Sequence, residues 1–138
     1  MEIKYLLVIL GLFLIIDIPM ISIINGKMYY EQFKRINREE IKIGHHTYLS
    51  AIFAYLLLTI GIYNFIVKPE IKKDKIDYLS IFINGMILGL VIYGIYNGTN
   101  MATINEWGMK EFIIDTTWGT LLSGILSILS IFIIKNYI

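Results

Sequence analysis

Two acids stand in stretches of chain that otherwise carry no charge: Asp17 within residues 5–25 and Asp115 within residues 112–134. An aspartate at the middle of an apolar helix costs about 2.5–3.5 kcal/mol on insertion scales, so such a side chain faces a protein interior or a wet path. Three kinds of chemistry suit a pair of this sort. A neutral Asp17 could donate a hydrogen bond to Asn97, Asn100 or a tyrosine and lock the first helix to the third. The pair could bind or relay a cation or proton between helices. Two carboxyls could also divide acid and base duties on a lipid entering sideways, provided their surroundings separate them.

The neighbours of the two acids follow from spacing. Tyr93, Tyr96, Asn97 and Asn100 recur at i, i+3, i+4 and i+7, which places them on one helix face. Asp115, Trp118, Gly119 and Leu122 repeat the same pattern, and Tyr48, Ser50 and Tyr55 open the second apolar run. Asp17 falls about two residues past the middle of its run, or roughly 3 Å towards the far face. Asp115 is expected in the first turn of the last helix, where the dipole favours negative charge. Because successive spans alternate in direction, Asp17, the end of the third run and the start of the fourth share one half of the membrane. The predicted cluster is Asp17, Tyr93, Tyr96, Asn97, Thr99, Asn100, Asp115 and Trp118.

Other polar residues carry weaker signals. His45 and His46 are adjacent, so on a helix they point apart, and no third ligand is spaced for zinc. They read as solvated interfacial histidines, with no metal and no cofactor implied. Asn97-Gly98-Thr99 matches a glycosylation sequon but sits at a membrane helix end. Trp107 and Trp118 are expected to anchor at the interface. Phosphate loops, Ser-His-Asp arrangements and nucleic-acid motifs are absent, and a net charge of +1 supplies no field for nucleic acid.

The elements that must position these residues are read from where charge is missing. Hydrophobic residues make up 57% of the 138 and charged residues 17%. A soluble domain lies near half apolar and a quarter charged, so the balance points to lipid. The mean hydropathy of +0.67 agrees. With no cysteine, disulfides and thiolate chemistry are excluded. Four gaps between charge clusters, residues 5–25, 47–67, 78–99 and 112–134, each have the length of a bilayer crossing, about 20 residues. The first lacks the small-residue pair that signal cleavage needs and reads as an anchor. The expected fold is all-α: one integral membrane domain over residues 1–138, a four-helix transmembrane bundle.

Between the first two spans, Tyr29, Phe33, Ile36 and Ile43 recur at helical steps, interrupted by Glu40, which suits an interfacial helix. An even number of spans puts both termini on one face. That face collects Lys4, Lys68, Lys72, Lys73, Lys75 and Lys135; the other collects Lys27, Lys34, Arg35, Arg38, Lys42 and Lys110. The positive-inside rule ties at six each. The lysines crowded into the second connection tilt the reading towards cytoplasmic termini.

In lipid, helices associate by close packing and hydrogen bonds. Candidate faces are Gly85 with Gly89 and Gly94 with Gly98 on the third span. The fourth offers the stripe Thr116, Thr120, Ser123, Ser127 and Ser130, and the second offers Ser50, Ala54, Gly61 and Asn64. These read as contacts within the bundle rather than as a water path. Either glycine pair could also join two copies of the chain.

The stretch Tyr93-Gly94-Ile95-Tyr96-Asn97-Gly98-Thr99-Asn100-Met101-Ala102-Thr103, then Trp107, then Asp115-Thr116-Thr117-Trp118-Gly119, resembles the signature of a mostly bacterial family of small membrane proteins, domain of unknown function 2177. That family's pattern is Tyr-Asp-x-Thr-Asn-x-Ala-Thr, a tryptophan in the following loop, and Asp-x-x-Trp-Gly opening the last helix. An aspartate late in the first helix is matched by Asp17. Asn97 departs from the pattern, standing where the family has aspartate. The resemblance implies four membrane helices and supplies no reaction. A structural or assembly role is the first reading, with a small proton- or ion-coupled transporter and a lipid-modifying membrane enzyme as alternatives.

Overall fold

All four apolar runs become helices in the computed structural model, which describes residues 2–39 and 42–138. Helix α1 (Ile3–Pro19) runs on through a π turn, Met20–Ile24, to make the first span. A short helix α2 (Gly26–Asn37) follows. Helix α3 (His45–Ile62) continues through a π turn, Tyr63–Val67, into the three-residue α4 (Lys68–Glu70), and together these form the second span. Helices α5 (Tyr78–Thr103) and α6 (Met109–Tyr137) are the third and fourth spans.

The chain has two prolines, and each adjoins a π turn. A proline within a helix lacks the N–H for its i−4 carbonyl and crowds that carbonyl. For Pro69 that carbonyl is Phe65's, inside the widened turn, which relieves the crowding, whereas Pro19 comes just before its π turn. In the two turns Asn25 N–H reaches the Met20 carbonyl at 2.9 Å, five residues back, and Lys68 N–H reaches that of Tyr63. At α5 the start is fixed differently: Asp77 Oδ1 accepts the backbone N–H groups of Leu79 and Ser80, both at 3.1 Å, an N-cap worth about 1 kcal/mol.

Helix α6 is the centre of the bundle, packing along α5 and against α1. Its serine stripe is buried, and the hydroxyls fold back onto their own helix, Ser123 to the Gly119 carbonyl at 2.8 Å and Ser127 to that of Ser123 at 2.7 Å. That satisfies these two donors, while Ser130 Oγ is buried without a partner, and it leaves a smooth surface for α5. Gly85 and Gly89 press into it: an added Cβ would stand 2.5 Å from Ser127 Oγ in the first case and 2.5 Å from the Gly119 carbonyl oxygen in the second. The stripe is a contact face.

The small residues of the second span do not form one. Ser50 and Ala54 are exposed, Gly61 has open space where a Cβ would be, and Asn64 turns back to the Ile60 carbonyl at 2.9 Å. Helix α3 docks by its C-terminal half, so bulky residues do the packing. Ile62, Tyr63, Ile66 and Val67 join Ile9, Phe13, Leu122 and Leu126 in the core.

The interfacial helix between the first two spans is shorter than the hydrophobic stripe suggested. It ends where Arg38 takes a left-handed conformation, φ 57°, so Ile43 lies beyond it and is exposed. Glu40 lies outside the described residues. At the opposite face, the Tyr5 and Tyr63 rings stand 6.5 Å apart and Lys135 Nζ bonds to the Lys73 carbonyl. Both chain ends therefore sit beside the second connection.

Candidate functional site

Asp17 lies two residues before Pro19 on α1 and is 3% exposed. Its Oδ1 accepts the indole N–H of Trp118 on α6 at 2.8 Å, and its Oδ2 accepts the hydroxyl of Tyr55 on α3 at 2.7 Å. Phe13, one turn earlier on α1, meets the Tyr55 ring edge-on at 4.8 Å and fixes its direction. A single carboxyl thus fastens three spans.

Asp115 does the same for a second set. Its Oδ1 accepts the Tyr29 hydroxyl from α2 at 2.7 Å, and its Oδ2 accepts Asn97 Nδ2 from α5 at 2.6 Å. Asn97 is fully buried and spends the rest of its amide locally: Nδ2 also donates to the Tyr93 carbonyl at 3.1 Å, and Oδ1 accepts Trp107 Nε1 at 3.3 Å. Asp115 sits in the second turn, because α6 begins at Met109, earlier than expected. The first-turn dipole therefore gives way to these donors as its support. No cation touches either acid among the described residues. Burial, and then the carboxylate of Asp115, push the Tyr29 hydroxyl well above its ordinary range, so it stays a donor at neutral pH.

Both acids face one cavity of about 520 Å3 between α1, α3, α5 and α6. Its remaining walls include Phe13, Ala54, Tyr55, Leu58, Ile92 and Tyr93. Helices α3 and α5 hardly touch, meeting chiefly through the Tyr63–Val67 turn at the other end of the span. The gap widens towards the half that holds the acids. Ala51, Ala54 and Leu57 line the cavity and are themselves exposed, so it opens sideways at membrane depth.

The expected cluster is thus divided. Asp17, Tyr93, Asn97, Asp115 and Trp118 come together, with Tyr96 at the rim. Thr99 does not join: its hydroxyl bonds to the Ile95 and Tyr96 carbonyls of its own helix at 2.7 and 3.0 Å. Asn100 bonds to neither acid. Asp17 meets a tyrosine as one of its expected partners, but on the second span, not the third, and as an acceptor from both neighbours. Tyr48 and Ser50, at the start of α3, are exposed. Trp107 and Trp118 are hydrogen-bond donors of the site rather than free interface anchors, and Trp107 is buried, packed edge-on against Tyr96 at 5.7 Å. His45 and His46 are exposed.

The family described as "Predicted membrane protein", domain of unknown function 2177, matches residues 2–132. The chain belongs to it. Among curated proteins and solved structures, none matches. The residues quoted above for the domain 2177 signature acquire physical reasons here. Trp118 serves Asp17, and the tryptophan of the preceding loop, Trp107, serves the residue at position 97. Gly119 must lack a side chain because the Tyr93 ring lies 2.2 Å from where its Cβ would stand.

Besides Trp107, three residues of the site are not signalled by the sequence. Tyr29 belonged to an amphipathic stripe whose natural destination was lipid. Gln32, buried beside it, looked like the polar face of that helix. Glu111 looked like a solvated helix end. None carries a spacing signal towards Asp115 except the i, i+4 step from Glu111.

Proposed function

We propose that this membrane protein holds the head of a lipid-like amphiphile in the cavity between α3 and α5. The observation that carries the reading is one space of about 520 Å3, open sideways, with two acids in its wall. That volume is within the ordinary range of ligand sites, about 300–1,000 Å3. The lining is apolar apart from Asp17, Asp115 and three tyrosines, and it includes no lysine or arginine. A head that donates hydrogen bonds, an alcohol or an ammonium, fits such a wall; a phosphate is repelled by it. The structural role expected from sequence has Asp17 locking the first helix to the third; here Asp17 bonds to α3 and α6, and Asp115 to α2 and α5. An assembly role alone does not call for the open space beside them.

In the same reading the termini face the cytoplasm, beside the lysines of the second connection. Gly85 and Gly89 are filled by α6, so Gly94 and Gly98 are the glycine face left for a second copy of the chain. The test is native mass spectrometry and thermal melting of the purified chain with dodecylamine, dodecanol and dodecyl phosphate. The amine or the alcohol should stay bound and raise the melting temperature, and Ala54→Trp should abolish both effects by filling the cavity. Equal retention of all three, or retention by Ala54→Trp, contradicts the reading.

A further inference from the structure

Beneath α2 lies a second, smaller cavity of about 50 Å3, lined by Tyr29, Gln32, Asn97, Trp107, Glu111 and Asp115 among others. Gln32 is 1% exposed, and its Nε2 has no hydrogen-bond partner in the protein. A buried amide donor left unpaired costs about 1–3 kcal/mol, so the site calls for an acceptor. The space exceeds the roughly 10–15 Å3 that one water needs, and its wall offers the two to four polar partners that hold one. Each Asp115 oxygen accepts one bond and keeps a second lone pair free. Glu111 stands one helical turn towards the aqueous face, paired with Arg35 Nη2 of α2 at 3.3 Å. Gly108 admits it: a Cβ there would lie 1.8 Å from Glu111 Oε2.

We propose that this pocket holds water on Gln32, and that the water joins Glu111 to Asp115 as a proton route from the membrane face to the floor of the larger cavity. A proton taken up by the Glu111 carboxylate, as its pairing with Arg35 loosens, passes to a pocket water, which gives one of its own to a free lone pair on Asp115. No other bond changes, and the Glu111 carboxylate is restored. The titratable groups facing Asp115 are Tyr29 of α2, Tyr93 and Tyr96 of α5, Asp17 of α1 and, across the larger cavity, Tyr55 of α3. Arg35 is the cation beside Glu111. The route goes beyond amphiphile binding and stands or falls without it.

The test is infrared difference spectroscopy of the full chain in liposomes during a pH step, with the Asp115 carboxyl band identified by its loss in Asp115→Asn. The protein should show a water band that shifts in H2 18O and an Asp115 band that follows the step. Gln32→Leu should lose the water band and slow the Asp115 response about a hundredfold, the low end of what a positioned proton carrier contributes. Glu111→Gln, which keeps the pocket shape, should retain the water band and still slow the response. Absence of the water band, or a response in Glu111→Gln as fast as in the unaltered protein, overturns the proposal, even if Gln32→Leu fails to fold.

Discussion

The indole N–H of Trp118 meets Oδ1 of Asp17 at 2.8 Å, joining the first and last spans across 101 positions of sequence. Tryptophan can only donate through that nitrogen, so position 17 must supply an acceptor. Asp17→Asn keeps one, with its amide N–H turned to the Tyr55 oxygen, and should cost about 1 kcal/mol. Asp17→Leu strands both the indole and the hydroxyl in apolar surroundings and should cost about 2–6 kcal/mol. Unfolding in mixed micelles measures both. A leucine variant as stable as the asparagine one would show that Trp118 does not depend on this acid.

Tyr29 gives a pH dependence with a definite sign. Its hydroxyl is held above the ordinary tyrosine value of about 10 in the folded protein. The stabilisation is therefore complete below that value and is lost as pH rises above it, where the unfolded chain ionises and the folded chain does not. For one group the loss is about 1.4 kcal/mol per pH unit. Tyr29→Phe should be less stable at neutral pH and show a shallower decline in alkali. Parallel curves would contradict the Tyr29–Asp115 bond.

Close approach of α5 and α6 predicts a contrast between glycines. Gly89→Ala places a Cβ 2.5 Å from the Gly119 carbonyl oxygen, a backbone atom that cannot rotate away. It should cost about 1–3 kcal/mol by overpacking. Gly98→Ala meets nothing within 4 Å and should gain slightly from the better helix former. Equal stabilities would mean that the two helices are further apart.

These contrasts mark what was legible in the string of residues. The four spans and the small-residue faces of α5 and α6 follow from charge gaps and from three-and-four spacing, which are properties of single helices. Partner choice across helices is not such a property. Nothing in the spacing around Asp17 distinguishes Tyr55 on the second span from Tyr93 on the third, because rotation about each helix axis is fixed by packing elsewhere. Here Phe13 and the core at the opposite end turn α3 so that Tyr55 points inward. Tyr29 and Trp107 were hidden for a related reason. An aromatic at a membrane edge has the same composition signal whether it faces headgroups or caps a buried acid. The sequence puts Asp115 one turn too early because helix α6 extends through Glu111, whose charge reads as a boundary and is instead paired with Arg35.

The sideways opening beside Asp17 and Asp115 can be probed through Trp118, which is bonded to Asp17 in the cavity wall. The chain has two tryptophans, so Trp107→Phe leaves Trp118 as the sole indole emitter. Bilayers made with lipids brominated along the acyl chain should quench it strongly, as the proposed entry between α3 and α5 requires, and blocking the gap with Ala54→Phe, which adds no second indole, should protect the emission. Strong quenching relieved by Ala54→Phe is the expected result; emission that is indifferent both to brominated chains and to the blocking residue would mean that the two acids face a closed bundle.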